Sequence, residues 1–228
     1  MIRWQHTERG LLAPAEFLPI IENHPLEIVL GEWVINTALK QIRQWQSVGL
    51  QLPISVNIGA KQFQQANFVE QVSSILLSNA DIQTRFLELE VLETSAMEDL
   101  AAVSDKIKAC REKGLRFALD DFGTGFSSLT YLRHLPVDIV KFDKSFVRDM
   151  LDDPDDLAIV KGVIGLAKNF SREVIAEGVE SKNHAKMLLS IGCELAQGYG
   201  IARQMPAAEI SDWVSQWHAE GLWNVSTD

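Results

Sequence analysis

Cysteine is scarce in this sequence: Cys110 and Cys193 stand alone among 228 residues, with no CxxC or zinc-type spacing. That argues against a disulfide framework or a thiolate metal site and leaves packing as reduced thiols. Histidine is sparse as well. His6, His24, His134, His184 and His218 form no HxxxH or HExxH pair, which points to surface or packing roles rather than metal ligation. Positive charge is in deficit, with 21 Lys and Arg against 31 Asp and Glu and a formal net charge of −10. Such a surface does not supply the many phosphate contacts that duplex nucleic acid requires, so a nucleotide ligand has to be small and metal-assisted. No stretch of about 18 apolar residues occurs, and the start MIRWQHTERG has neither a hydrophobic run nor a small-residue cleavage site. A cytoplasmic chain without direct membrane contact is expected. Linkers, repeats and low-complexity runs are missing too, and 46% hydrophobic with 23% charged residues suits one domain over residues 1–228.

What is present is alternation. From residue 50 onward, β-branched runs at 54–58, 86–92, 115–120, 137–143, 173–177 and 194–198 alternate with stretches of helical period, which predicts βα units and a parallel sheet. Ile159, Val160, Val163, Ile164 and Ala167 predict one buried helix face; Ile210, Trp213, Val214 and Trp217, after Pro206, predict another. Upstream, Pro14 to His24 and Glu27 to Trp45 read as helices, the second with Leu30, Trp33, Val34, Ala38 and Ile42 on one face. A closed (β/α)8 barrel needs eight strands, and an open doubly wound sheet would show a Gly-rich phosphate loop after its first strand, which 54–58 lacks. Six strands suit neither of these α/β arrangements, and one alternative is that strands preceding residue 1 have been lost.

Each predicted strand ends in a residue able to bind a cation or a phosphate. In order these are Asn57, Glu90, Asp120 with Asp121, Lys141 with Asp143, Glu177 with Glu180 nearby, and Gln197. In a parallel barrel the C-terminal strand ends meet at one face, so these groups converge. Crowded carboxylates raise one another's pKa and repel, and a bound divalent cation relieves both effects. An oxygen donor set without Cys or His suits Mg²⁺ or Mn²⁺ rather than zinc. Singly, each residue has a plainer reading: a strand-end Asp as a helix cap, Asn57 as a turn residue, Gln197 as a surface amide, and Lys141 with Asp143 as a same-face ion pair. Six strands ending alike favour a site. Gly123 and Gly125 permit a tight loop before a helix starting near Ser127, placed where a lid would be. The tripeptide Asp121-Phe122-Gly123 matches the kinase metal motif, but no Gly-rich nucleotide loop or HRD sequence accompanies it.

These residues lie in segments that resemble the EAL domain family, phosphodiesterases that hydrolyse cyclic di-GMP to its linear dinucleotide on a modified TIM barrel. The resemblance runs through IRWQH (2–6), GLLAPAEFLPI (10–20) and LGEWV (30–34). It continues through SVNIGAKQF, LELEVLET, ALDDFGTGFSSLTYLRHLPVDIVKFDKSFV, IAEGVES and LAQGYGIARQMP, nearly the whole chain. It implies a TIM-like (β/α)8 barrel, N-terminally truncated, and two Mg²⁺ or Mn²⁺ ions held by Asn57, Glu90, Asp120, Asp121 and Glu177. Glu177 is then also the candidate general base and Lys141 holds the catalytic water or the phosphate. Arg3, Asp143, Gln197 and Gly198 fall at substrate-binding positions, while Glu93 anchors the lid formed by Gly123 and Gly125. A homodimer, cyclic di-GMP as the ligand, and attached sensory or cyclase domains are implied as well. The sequence departs from the family at Leu92, Gly59 and Gln204, where threonine, serine and proline are usual. The glutamate that gives the family its name belongs just upstream of Ile2, which keeps open an alternative: a cyclic di-GMP-binding domain that does not cleave.

Overall fold

The computed structural model describes residues 1–22, 24–93, 99–123 and 128–220. It opens with a hairpin of β1 (Trp4–His6) and β2 (Gly10–Leu12), paired antiparallel, which the sequence pattern did not announce. Two helices follow, α1 (Pro14–Ile21) and α2 (Leu26–Ser47). The predicted core face of α2 is shifted: Ile35, Ala38, Leu39 and Ile42 are buried, whereas Trp33 is 54% exposed. At about 100° per residue, Trp33 lies roughly 200° around the helix from Ile35, so the two cannot share a stripe.

The remaining chain alternates strand and helix, with β3 (Ile54–Asn57), α3 (Ala60–Gln64), α4 (Phe68–Leu77), β4 (Leu87–Leu92), α5 (Leu100–Arg111) and β5 (Arg116–Phe122). Next come α6 (Ser128–His134), β6 (Ile139–Phe142), α7 (Lys144–Asp149), α8 (Pro154–Asn169) and β7 (Glu173–Ala176). The last elements are α9 (Lys182–Ser190), β8 (Leu195–Ala196) and α10 (Ile210–Glu220). All six predicted strands are present, and they form one parallel sheet in the order β3-β4-β5-β6-β7-β8. Each strand neighbours the next, the arrangement of a barrel wall rather than of a doubly wound sheet. No pairing joins β3 to β8 among the described residues, so the sheet is a half-barrel.

Side chains alternate across this wall. Leu87, Leu89 and Val91 on β4 are buried in the core between sheet and helices, while Glu88 and Glu90 point to the barrel interior. The interior floor is polar: Ser55 Oγ donates to Glu88 at 2.9 Å, and Arg116 bridges Glu88 at 3.1 Å and Glu173 at 2.8 Å. On the outer side α8 buries Val160, Ile164 and Ala167, each such burial contributing roughly 1–3 kcal/mol, but Ile159 of the predicted stripe is exposed. The stripe Ile210, Trp213, Val214 and Trp217 on α10 is half-buried, and Pro206 caps the turn before that helix.

Candidate active site

The interior face changes character at the C-terminal strand ends. Lys141, in the middle of β6 and 3% exposed, places its ammonium 2.9 Å from Glu90 Oε1, 3.0 Å from Asp120 Oδ1 and 2.7 Å from Glu177 Oε1. Asn57 Nδ2 donates to Glu90 Oε2 at 2.9 Å, and Gln197 Nε2 donates to Glu177 Oε1 at 3.3 Å. Residues from β3, β4, β5, β6, the end of β7 and the end of β8 therefore converge, as strand ends of a parallel wall must.

Asp120 and Asp121 are neighbours in sequence and should face opposite sides of a regular strand. The register resolves this. Leu119 pairs with Val140 and Phe122 with Phe142, so two residues of β5 stand opposite the single residue Lys141. This β-bulge lets Leu119 and Phe122 both enter the hydrophobic core and leaves both aspartates on the interior side. Its cost is visible at Asp121, which takes a left-handed φ of 56°. Aspartate tolerates that region better than most residues. The result is one carboxylate oxygen each from Asp120, Asp121 and Glu177 within 4.8 Å of one another.

Charge is unbalanced here, with four carboxylates (Glu90, Asp120, Asp121, Glu177) around one ammonium. Burial pushes the Glu90 carboxyl above its ordinary range; Lys141 opposes this and Asp120 adds to it. Glu177 is raised by burial despite its hydrogen bond from Lys141. Asp121 is raised by burial and then by Asp120 and Asp143. Burial lowers the Lys141 ammonium, but Glu90, Asp120 and Glu177 outweigh it and hold it above the usual lysine range. Asp120 Oδ1 is buried and, for all its closeness to Lys141, accepts no hydrogen bond in good geometry. An all-oxygen donor set with excess negative charge, raised carboxyl pKa values and an unsatisfied oxygen fits a divalent cation.

The other expected positions fall around this centre. Glu93, 1% exposed, accepts from the Gly123 backbone N–H at 3.3 Å, tying the end of β4 to the start of the glycine segment; Gly125 lies outside the described residues. Asp143 caps α7, accepting from Ser145 N at 2.9 Å; burial raises its carboxyl, but the hydrogen bonds from Ser145 together with Lys144 outweigh this and hold it low. Gly198 packs against the Val179 backbone so tightly that an added Cβ would lie 2.2 Å from Val179 O. Arg3 hydrogen-bonds Gln204 Oε1 at 2.6 Å and its neighbour's carbonyl, Ile2 O, at 2.8 Å, which joins the hairpin to the segment after β8. The polar floor of Ser55, Glu88 and Arg116 was not expected from sequence; its signal was an interior-facing position at Glu88, two residues before Glu90.

The EAL domain family model matches residues 1–204. The chain belongs to the EAL domain family. This EAL domain is 37% identical over 214 residues to cyclic di-GMP phosphodiesterase PA2567 of Pseudomonas aeruginosa, covering 94% of this chain and 36% of that protein. It is also 37% identical to the bifunctional diguanylate cyclase/cyclic di-GMP phosphodiesterase MucR of the same organism, over 92% of this chain and 31% of MucR. The chain thus spans about a third of the length of these curated relatives. Among solved structures, the PaMucR phosphodiesterase in complex with c-di-GMP superposes with a TM-score of 0.85 at 37% identity, covering 91% of this chain and 84% of that one. Within the described residues, no helix is long and apolar enough to cross a membrane.

Proposed function

We propose that this EAL domain, acting as one unit over residues 1–228, hydrolyses cyclic di-GMP to the linear dinucleotide with two Mg²⁺ or Mn²⁺ ions. The observation that carries the reading is the gathering of Asp120, Asp121 and Glu177 within 4.8 Å, with Glu90 and Asn57 alongside. Asn57, Glu90, Asp120, Asp121 and Glu177 would hold the cations, whose chemistry when bound is to polarise a phosphoryl oxygen and acidify water. Water adds to phosphorus, one P–O ester bond breaks, the leaving ribose oxygen takes up a proton from solvent, and the ring opens. Glu177, its carboxyl raised above the ordinary range by burial and oriented by Gln197, takes the proton from the attacking water. Lys141 offsets charge on the phosphoryl oxygens while holding Glu177 in place. Arg3, Asp143, Gln197 and Gly198 line the substrate side, and Glu93 steadies the lid of Gly123 and Gly125. The names of PA2567 and MucR and the ligand of the PaMucR structure support the choice of substrate.

Incubating the protein with cyclic di-GMP and Mg²⁺ or Mn²⁺, with and without EDTA, tests this directly; absence of a metal-dependent linear product sinks it. A second reading, binding without cleavage, draws on Lys141, whose ammonium contacts Glu90, Asp120 and Glu177 at once and offsets part of the charge that a cation would balance. Calorimetric binding of cyclic di-GMP without product would favour it. A homodimer in the cytoplasm and attached sensory or cyclase domains belong to the same proposal. MucR, named for both activities, supports the attached domain, and light scattering on the isolated domain tests the dimer.

A further inference from the structure

His184 is buried, and both nitrogens of its ring have partners. Its Nε2 lies 3.2 Å from the Arg148 carbonyl, which only accepts, so Nε2 carries the ring proton and Nδ1 is the bare nitrogen. Ser181 Oγ, 3.0 Å from Nδ1, donates to it and accepts in turn from the His184 backbone N–H at 3.3 Å. Ser181 is the N-cap of α9, and Arg148 sits in the last turn of α7, where carbonyls lack helical partners. One imidazole therefore joins the end of α7 to the start of α9.

Those two helices follow the two strands, β6 and β7, that position Lys141 and Glu177. α7 begins two residues after Phe142, the end of β6 with Lys141, and α9 begins after the loop 177–181 that starts with Glu177. That loop touches α7 a second time nearer the site: Gly178, at φ 73°, lies so close to Lys144, the first residue of α7, that an added Cβ would be 2.5 Å from the Lys144 Cβ. We infer that His184 is a positioning residue, holding the Glu177 loop against α7 through Ser181 and Arg148 and so setting the 2.7 Å approach of Glu177 to Lys141. The catalytic part of this inference rests on the phosphodiesterase reading above.

The test compares His184→Leu with His184→Gln, whose amide keeps an acceptor for Ser181 and a donor for the Arg148 carbonyl. The leucine variant is expected to lower kcat about 10-fold with KM little changed, and the glutamine variant to recover most of it. In the metal-free protein, hydrogen exchange of the 177–181 amides should quicken in the leucine variant and not in the glutamine one. Should the leucine variant fail to fold, Ser181→Ala, which removes only the hydroxyl, takes its place with the same two readouts. Unchanged exchange at 177–181, or a glutamine variant as impaired as leucine, overturns the inference and assigns His184 to packing. If the parent cleaves no cyclic di-GMP, the functional reading fails, while exchange in the metal-free protein still decides the role of His184.

Discussion

The Lys141 ammonium, on β6, lies 2.7 Å from the carboxylate of Glu177, just past the end of the neighbouring β7, and the same ammonium also meets Glu90 and Asp120. Replacing it by methionine leaves three mostly buried carboxylates without their shared counter-charge. Lys141→Met should destabilise the EDTA-treated protein by about 3 kcal/mol. Urea unfolding with and without Mn²⁺ checks this: the deficit should shrink when the cation is added, and turnover should stay at least about 100-fold down.

Divalent cations should stabilise the parent chain. Saturating Mg²⁺ or Mn²⁺ at about 100 times its Kd adds about 2.7 kcal/mol, seen as a rise in Tm that EDTA reverses. Asp120→Asn should lose most of that rise while keeping a native circular dichroism spectrum.

Asp121 offers a pH test whose sign is fixed. Its folded-state pKa is raised, so the folded protein holds this proton more tightly than the unfolded chain. The metal-free parent gains stability as pH falls through the raised value toward the ordinary carboxylate range, and gains nothing further from Asp121 below it. Asparagine tolerates the same left-handed backbone without the charge. In EDTA, Asp121→Asn should therefore be more stable than the parent at neutral pH, with the gap closing on acidification. Thermal unfolding across the acid range would show the opposite trend if Asp121 were held low.

Glu93 should act on closure rather than on cation binding. Glu93→Ala removes the acceptor for Gly123 N–H. Turnover should fall about 10-fold while the cation-induced rise in Tm survives. Loss of both would place Glu93 among the cation-holding groups instead.

Much of this was legible in the sequence because strand period and strand-end polarity are local signals. The six strands and the candidates Asn57, Glu90, Asp120, Lys141, Glu177 and Gln197 follow from alternation alone, and the structure brings them together. The hairpin β1–β2 escaped because three-residue strands are too short to show a period. Trp33 was misplaced because Leu30, Trp33 and Val34 also share helical spacing, and only packing against the sheet decides which arc of α2 faces the core. Asp143 reads from sequence as a same-face partner of Lys141, but Lys141 pairs with Glu90, Asp120 and Glu177 instead and Asp143 caps α7. The bulge was invisible because it is a property of pairing between β5 and β6, not of either strand.

That bulge has an evolutionary consequence. Deleting either aspartate would restore an unbroken ladder between Leu119 and Phe122 and keep the fold, yet the chain would lose half of its adjacent acidic pair. The proposed activity thus depends on a one-residue length difference between two strands. A relative that retained every other acidic residue but lacked this single insertion would fold alike and bind cations differently.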